Sequence, residues 1–197
     1  MIKNIIKLFV IFLIGVLIGN VAYGIYKEAI LENGPSDKIS NLIENTITKE
    51  NINESLTTKK EKIPEQYKEY KVSCKLEIEK INLKTYVFEN YDEDAMWICP
   101  TKYFGPNPNE IGNYCIAAHN YKKKNMFNNI IKLEKGDNIK LIDNINGESN
   151  YLVYDVYKVN PEDTEVLSQE TNGRVELTLI TCSDYSSKRI IVKARKI

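Results

Sequence analysis

Hydrophobic residues are concentrated in one long run near the start of the chain. Nearly every residue from Ile5 to Tyr26 is apolar, a run of 22 residues, and a helix needs about 20 residues to cross the hydrocarbon core of a membrane. Only the amino terminus and Lys3 carry charge before the run, and positive flanks stay in the cytoplasm. The alternative is a signal peptide cleaved at residues 22–24. Both interpretations place the rest of the chain outside the cell membrane.

The pattern changes twice after this run and predicts three parts. Residues 1–27 are expected to form a cytoplasmic leader and a transmembrane anchor. Residues 28–65 are polar with a thin stripe of apolar positions, which indicates a stalk or, equally, a disordered linker. Residues 66–197 carry the regular patterns of a folded domain. The predicted topology is therefore a single-pass membrane protein with an extracellular domain.

Alternating apolar and polar positions predict that this domain consists mostly of strands. Period-two patterning rich in Val, Ile, Tyr and Thr is typical of strands that are buried on one face. Five segments show it: residues 72–79, 138–141, 151–159, 174–181 and 189–194. Asn146-Gly147 indicates a hairpin, and residues 125–133 fit one short helix that ends near Gly136. We therefore expect a closed β-barrel or a compact sandwich with one or two short helices.

Composition narrows the possible functions. The 27 basic and 27 acidic residues balance, so net charge gives no reason to expect a nucleic-acid partner. His119 is the only histidine, which excludes a His-rich zinc site. None of the four cysteines forms a C-x-x-C pair, which excludes a zinc ribbon and a thioredoxin-like motif.

Three residues with chemical potential stand where predicted strands begin or end. His119 follows the apolar segment 113–118, Cys182 follows the apolar segment 178–181, and Arg189 opens the last strand. Reactive groups are often placed at such strand ends. Each residue also has an ordinary interpretation. His119 could be a surface histidine, Cys182 a small buried hydrophobe and Arg189 a solvated arginine at the start of a strand. The ordinary interpretation is our expectation for the other three cysteines, Cys74, Cys99 and Cys115.

The segment around Cys182 resembles a known family. Residues 178–182 read TLITC, which is similar to the sortase signature, a Thr-Leu-x-Thr-Cys pentapeptide that ends in the nucleophile. His119 precedes Cys182 by 63 residues and Arg189 opens the final strand, as the corresponding residues do in that family. The resemblance extends from about Lys75 to the end of the chain, together with the N-terminal anchor.

The sequence also departs from the family pattern. Ala118 stands before the histidine, where a glycine is common, and Arg189 follows Cys182 by only seven positions. No apolar run closes the sequence and no Asp-Pro-aromatic lid precedes the first strand, which argues against the pilus-polymerising type. The resemblance leaves the subclass unassigned.

The resemblance implies a sortase-type β-barrel and a cysteine transpeptidase mechanism. Cys182 would attack an LPxTG-like C-terminal sorting signal of a secreted surface protein and form a thioester. An amine on a cell-wall peptide would then accept the protein. By the same resemblance His119 is the acid and base, and Arg189 stabilises the charge that develops on the carbonyl oxygen.

The loop before the catalytic strand, residues 160–172, resembles the substrate-covering loop of the family. Val166 and Leu167 are expected to contact the apolar residue of the sorting peptide, and Thr181 to orient the substrate or support the Cys182 loop. Three acidic residues of the loop are candidate calcium ligands, because some members of the family bind calcium: Glu162, Asp163 and Glu165. A solvated acidic loop is the preferred interpretation, and we expect no metal and no cofactor.

Two other functions remain open at this point. One is an exported cysteine peptidase that hydrolyses its acyl-enzyme; an L,D-transpeptidase is disfavoured because its Ser-x-Gly-Cys motif is absent. The other is a non-enzymatic membrane-anchored β-domain, an adhesin or assembly scaffold. It predicts that Cys182 is inert, buried and distant from His119.

Overall fold

A computed structural model describes residues 18–23, 63–122, 125–183 and 187–197. The chain divides into two compact units, residues 1–34 and 35–197, and each is described by itself. In the first unit, residues 18–23 are helical. Within the described ranges, no helix has both the length and the apolar character needed to span a membrane. The rest of the predicted anchor and nearly all of the predicted stalk lie outside the described residues, and the proposed domain bounds stay a prediction.

In the second unit the described residues form one sheet of nine strands, eight of which close into a barrel. The strands run in the order β1-β2-β3-β4-β5-β8-β9-β7-β6, and β6 also pairs with β2, which closes the ring. The mostly-β closed barrel predicted from the sequence is confirmed. The strands are β1 (Gln66–Tyr67), β2 (Tyr70–Ile78), β3 (Leu83–Phe88), β4 (Thr101–Phe104), β5 (Gly112–Ala117), β6 (Asn138–Asp143), β7 (Gly147–Val159), β8 (Val175–Cys182) and β9 (Arg189–Lys196).

Short helices connect some of the strands. One α-helix, α1 (Glu93–Met96), lies between β3 and β4, and its N-cap Asp92 accepts a hydrogen bond from the backbone N–H of Ala95 at 2.7 Å. The helix predicted over residues 125–133 is a 3-10 helix, Phe127–Lys132. Two further 3-10 turns are Glu79–Ile81 and Glu165–Leu167.

Alternation along the strands separates the barrel core from its outer face. In β8, Leu177 and Leu179 are fully buried, and they belong to the same core cluster as Val192 and Ala194 of β9. Successive side chains of a strand point to opposite faces, so the residues between them point outward. Even-numbered residues of β8 and odd-numbered residues of β9 therefore share the outer face, where Glu176 contacts Arg195 at 2.9 Å.

The order of the strands brings three chain segments to one edge of the barrel. β5 and β8 are parallel neighbours, with Gly112 opposite Val175 and Ala117 opposite Ile180. The carboxyl ends of parallel neighbours lie at the same edge of a sheet. β9 runs antiparallel to β8, so its first residue lies at that edge as well.

Candidate active site

Cys182 and Arg189 are direct neighbours across a strand pair. They are the last residue of β8 and the first of β9, and they lie opposite each other in the antiparallel register. Residues in such positions project from the same face of the sheet, with Cβ atoms about 5 Å apart. The backbone N–H of Ser183 donates to the carbonyl of Lys188 at 2.9 Å and closes the pair.

His119 is brought to the same edge by two hydrogen bonds between β5 and β8. The N–H of Ala118 donates to the carbonyl of Ile180 at 3.1 Å. The hydroxyl of Thr181 donates to the carbonyl of Ala118 at 2.7 Å. These bonds hold the residue before His119 against the residue before Cys182. Thr181 is only 2% exposed, so its hydroxyl supports the backbone at this point.

The residues predicted to act together line one cavity. It has a volume of about 250 Å³, and Cys182, His119 and Arg189 all contribute to its wall. The predicted substrate contacts Val166 and Leu167 line it as well, from the 3-10 turn that precedes β8. Thr181 also borders the cavity. The six residues selected from the sequence therefore meet at one place on the barrel.

Two aromatic residues that the sequence reasoning missed pack around His119. The ring centroids of Trp97 and Tyr121 lie 4.7 and 4.8 Å from that of the imidazole. The two aromatic rings also stack on each other, with centroids 5.2 Å apart. Trp97 follows helix α1 directly and is 47% exposed. The imidazole, the indole of Trp97 and the phenol ring of Tyr121 thus form one aromatic cluster of three rings.

The position of this cluster is fixed by its neighbours. The side-chain amide of Asn125 donates to the carbonyl of Ile98, next to Trp97, at 3.0 Å. The N–H of Phe127 donates to the carbonyl of His119 at 3.1 Å. The segment that carries the imidazole is therefore tied to the segment that carries the indole. The one feature of the sequence that distinguishes Trp97 is that it is the only tryptophan in the chain.

The phenol of Tyr121 interacts electrostatically with Cys182. Burial raises the pKa of the Tyr121 phenol, and negative charge on Cys182 raises it further. Tyr121 thus contacts the imidazole and lies within electrostatic range of the thiol.

The other three cysteines differ from Cys182 in their environment. All four are free thiols, and only Cys182 is partly exposed. Burial raises the pKa of Cys74 and Cys99 to about 12 and that of Cys115 to about 11. A thiol in such a site is chemically inert. The expectation that these three are small buried hydrophobes is confirmed.

The acidic loop gives no metal centre in the part of the chain that the structure describes. There, no three His, Cys, Asp or Glu side chains are grouped so that they would hold an ion. Asp163 lines the cavity, while Glu162 and Glu165 are exposed. The expectation that no metal or cofactor is required stays a prediction.

Comparison with known proteins identifies the family to which this fold belongs. A family model described as "Sortase domain" matches residues 76–197. Sortase A from Bacillus anthracis is 46% identical over 84 residues, which cover 41% of this chain and 39% of that protein. Sortase A from Streptococcus agalactiae serotype III is 34% identical over 88 residues, 42% of this chain and 35% of that protein. The matches thus span well under two thirds of either relative.

A solved structure extends the comparison to three dimensions. The sortase D5 transpeptidase of Clostridium perfringens superposes with a TM-score of 0.59 and 30% sequence identity, over 64% of this chain and 79% of that one. The relatives carry different subclass letters, and the subclass of this chain stays unassigned. The family match begins within β2 and continues through β9. It includes His119, Cys182 and Arg189 and covers more than half of the sequence, so the chain belongs to the sortase family.

Proposed function

We propose that this chain is a cysteine transpeptidase that cleaves an LPxTG-like C-terminal sorting signal and joins the protein to an amine on a cell-wall peptide. The observation that carries the proposal is the shared cavity of Cys182, His119 and Arg189 on the outer face of the barrel. A non-enzymatic β-domain would have no reason to gather a thiol, an imidazole and a guanidinium around one opening.

Cys182 is the nucleophile in this proposal. Its sulfur attacks the carbonyl carbon of the threonine in the sorting signal, and the bond from that carbon to the glycine nitrogen breaks. The reactive form of a cysteine is the thiolate, and an unassisted cysteine is mostly protonated at neutral pH. In the proposal the imidazole of His119 and the guanidinium of Arg189, which line the same cavity as Cys182, act with the thiol.

His119 moves the proton in both halves of the reaction. It gives a proton to the glycine amine as that amine leaves, and a thioester remains on Cys182. It then takes a proton from the incoming amine as the new amide forms and the carbon–sulfur bond breaks. Packing against Trp97 and Tyr121 limits the movement of the ring, which favours a fixed position for proton transfer.

Arg189 stabilises the negative charge that develops on the carbonyl oxygen. Its forked guanidinium offers two parallel N–H groups, and it starts directly opposite Cys182 in the strand pair. Donors that are already in place when charge develops cost no reorganisation during the reaction. The short separation of the two residues in the strand register supports this role.

The remaining walls of the cavity suit a peptide with an apolar residue. Val166 and Leu167 supply an apolar surface on one side, and Tyr91, Met96 and Tyr103 supply another. The sorting peptide would lie between them with its threonine carbonyl at Cys182. The apolar run over residues 5–26 supports anchoring in the cell membrane with a cytoplasmic N-terminus, which would hold the barrel outside the cell where secreted substrates emerge.

The proposal is tested by intact mass spectrometry with a peptide that contains Leu-Pro-x-Thr-Gly. We expect a thioester adduct on the wild-type protein, with the C-terminal fragment released. Cys182→Ala should form no adduct and cleave no peptide. Cys115→Ala is the matched control because this thiol is buried, and it should behave as the wild type does. Full cleavage by Cys182→Ala would refute the mechanism.

Hydroxylamine separates transfer from hydrolysis in the same assay. A transpeptidase should release the peptide as the hydroxamate in proportion to the hydroxylamine supplied, because an amine resolves the thioester. Release of the free acid alone, at every hydroxylamine concentration, would favour the exported peptidase. Absence of any adduct would favour the non-enzymatic β-domain.

A further inference from the structure

The loop between β7 and β8 covers part of the outer face of the barrel and rests on three polar side chains. Asn113 comes from β5, Thr178 from β8 and Lys193 from β9. Asn113 and Thr178 are 0% exposed. Thr178 and Lys193 lie directly opposite each other in the strand register. Buried polar groups of this kind are stable only when their hydrogen bonds are made.

These side chains bind the backbone of the loop at the turn that lines the cavity. The carbonyl of Val166 accepts from the Lys193 ammonium at 2.8 Å and from the Asn113 amide at 3.0 Å. The Asn113 amide also donates to the carbonyl of Ser168 at 3.2 Å. Two donors from two different strands therefore hold the backbone of Val166, whose side chain forms part of the apolar wall of the cavity.

The donors are themselves connected beneath the loop. The Thr178 hydroxyl donates to the side-chain oxygen of Asn113 at 2.5 Å and accepts from the Lys193 ammonium at 3.0 Å. On the other side of Asn113, the side chain of Gln169 accepts from its backbone N–H at 2.9 Å and donates to its carbonyl at 3.0 Å. Loop and barrel thus share one continuous polar network.

Gly112 leaves the space that this network needs. Its φ of +122° lies in the left-handed region, and a Cβ atom there would stand 2.9 Å from the side-chain oxygen of Gln169. A side chain at this position would push Gln169 away from Asn113.

Lys193 is an unusual choice for this place. Burial lowers the pKa of its ammonium group, which means that removing the charge from water is unfavourable in free energy. Its two hydrogen-bond partners are an uncharged carbonyl and a hydroxyl. An apolar residue would fill the same volume without that cost. What the lysine adds is a strong hydrogen bond to the loop, since bonds from a charged donor are roughly twice as strong as neutral ones.

We infer that Lys193 and Asn113 are positioning residues that hold the substrate loop in its binding conformation before the sorting peptide arrives. The inference rests on the proposed function. A loop fixed in advance spares the peptide the entropy of ordering it, which lowers KM. The two residues do not touch the reacting atoms, so the chemical step at Cys182 does not depend on them.

The test is Lys193→Met, which keeps the length and apolar stem of the side chain and removes its donors. KM for the sorting peptide should rise about tenfold, as expected when hydrogen bonds from a charged group are lost, while kcat stays within about twofold. Hydrogen exchange at the amides of Leu167 and Ser168, which bond to Thr164 and Glu165 within the turn, should become faster. Lys135→Met, at an exposed turn, is the matched control and should change neither quantity.

Two further measurements keep the outcome clear. Alkylation of Cys182 by iodoacetamide should proceed at the wild-type rate in Lys193→Met, because the cavity edge is intact. Lys193→Gln keeps a neutral N–H donor and should give a KM between those of the wild type and the Met variant. An unchanged KM, a loss confined to kcat, or the reverse ranking of the two variants would overturn the inference.

The exchange measurement separates this inference from the proposed function. If the wild-type protein turns over no sorting peptide, the proposed function fails. If the loop amides of Lys193→Met exchange as slowly as those of the wild type, the positioning role fails, whatever the activity of the protein.

Discussion

Replacing Arg189 by lysine is the sharpest test of the chemistry. The substitution keeps a positive charge but removes the fork that offers two parallel donors to one oxygen. Arg189 lies opposite Cys182 in the strand register, so the lysine would begin from the same position and differ only in its head group. Loss of one oxyanion donor costs about 3–4 kcal/mol, a fall of about 10²–10³ in kcat.

The assay is steady-state cleavage of a fluorogenic sorting peptide, with iodoacetamide labelling of Cys182 to show that the nucleophile is intact. We expect kcat to fall by two to three orders of magnitude and KM to change little, because the guanidinium acts on charge that is present only in the transition state. A kcat within about threefold of the wild type would refute the oxyanion role.

Arg195→Lys is the matched control for this experiment. Arg195 lies on the same strand and the same outer face, six residues from Arg189, a distance of about 20 Å along an extended strand. Its Nε and Nη2 atoms donate to one carboxylate oxygen of Glu176 at 3.2 and 2.9 Å, and a lysine can keep that ion pair. We expect cleavage at the wild-type rate. A comparable loss in both variants would indicate a general effect on the barrel.

Three further predictions concern the thiols, the aromatic cluster and the core. At pH 8, iodoacetamide should label Cys182 alone in the native protein, because burial raises the pKa of the other three thiols to about 11 or 12; native labelling of a second site, read by peptide mapping, would contradict this. Trp97→Ala should lower kcat about tenfold through a freer imidazole, while Trp97→Phe, which keeps a ring, restores most of it. Phe127→Ala, at a fully buried position, should lower the free energy of unfolding in urea by about 3–5 kcal/mol, whereas a loss below 1 kcal/mol would mean that this part of the core is loosely packed.

Sequence patterns predicted strands well where one face is buried and the other is not. Apolar and polar residues alternate over positions 175–179 of β8 and 192–195 of β9, because the inner residues enter the barrel core and the outer residues are polar. β3 was missed because Tyr86, Val87 and Phe88 are an unbroken apolar run, buried on both faces of the strand, which removes the period of two from the sequence. β4 was missed because it is only four residues long and has an irregular register between Lys102 and Phe104.

Some residues of the site could be selected from their local sequence, and others are recognised only once the fold is known. Cys182, His119 and Arg189 were selected because each stands at a strand end within a recognisable motif. Trp97 follows a four-residue helix, and nothing near it in the sequence indicates that it packs on a histidine 22 positions later. The contacts of Lys193 with the loop likewise depend on strand neighbours that only the closed barrel creates.

The strand pair that carries Cys182 and Arg189 has a consequence for protein engineering. Hydrogen bonds between Ser183 and Lys188 seal the end of the pair, so the register is set before the chain enters the connecting segment. Lengthening a flexible connection costs little free energy in general, about 0.6 kcal/mol for each doubling. Residues inserted between positions 183 and 188 should therefore leave the nucleophile in place. We expect such insertions to be a route to changing the substrate preference of the protein.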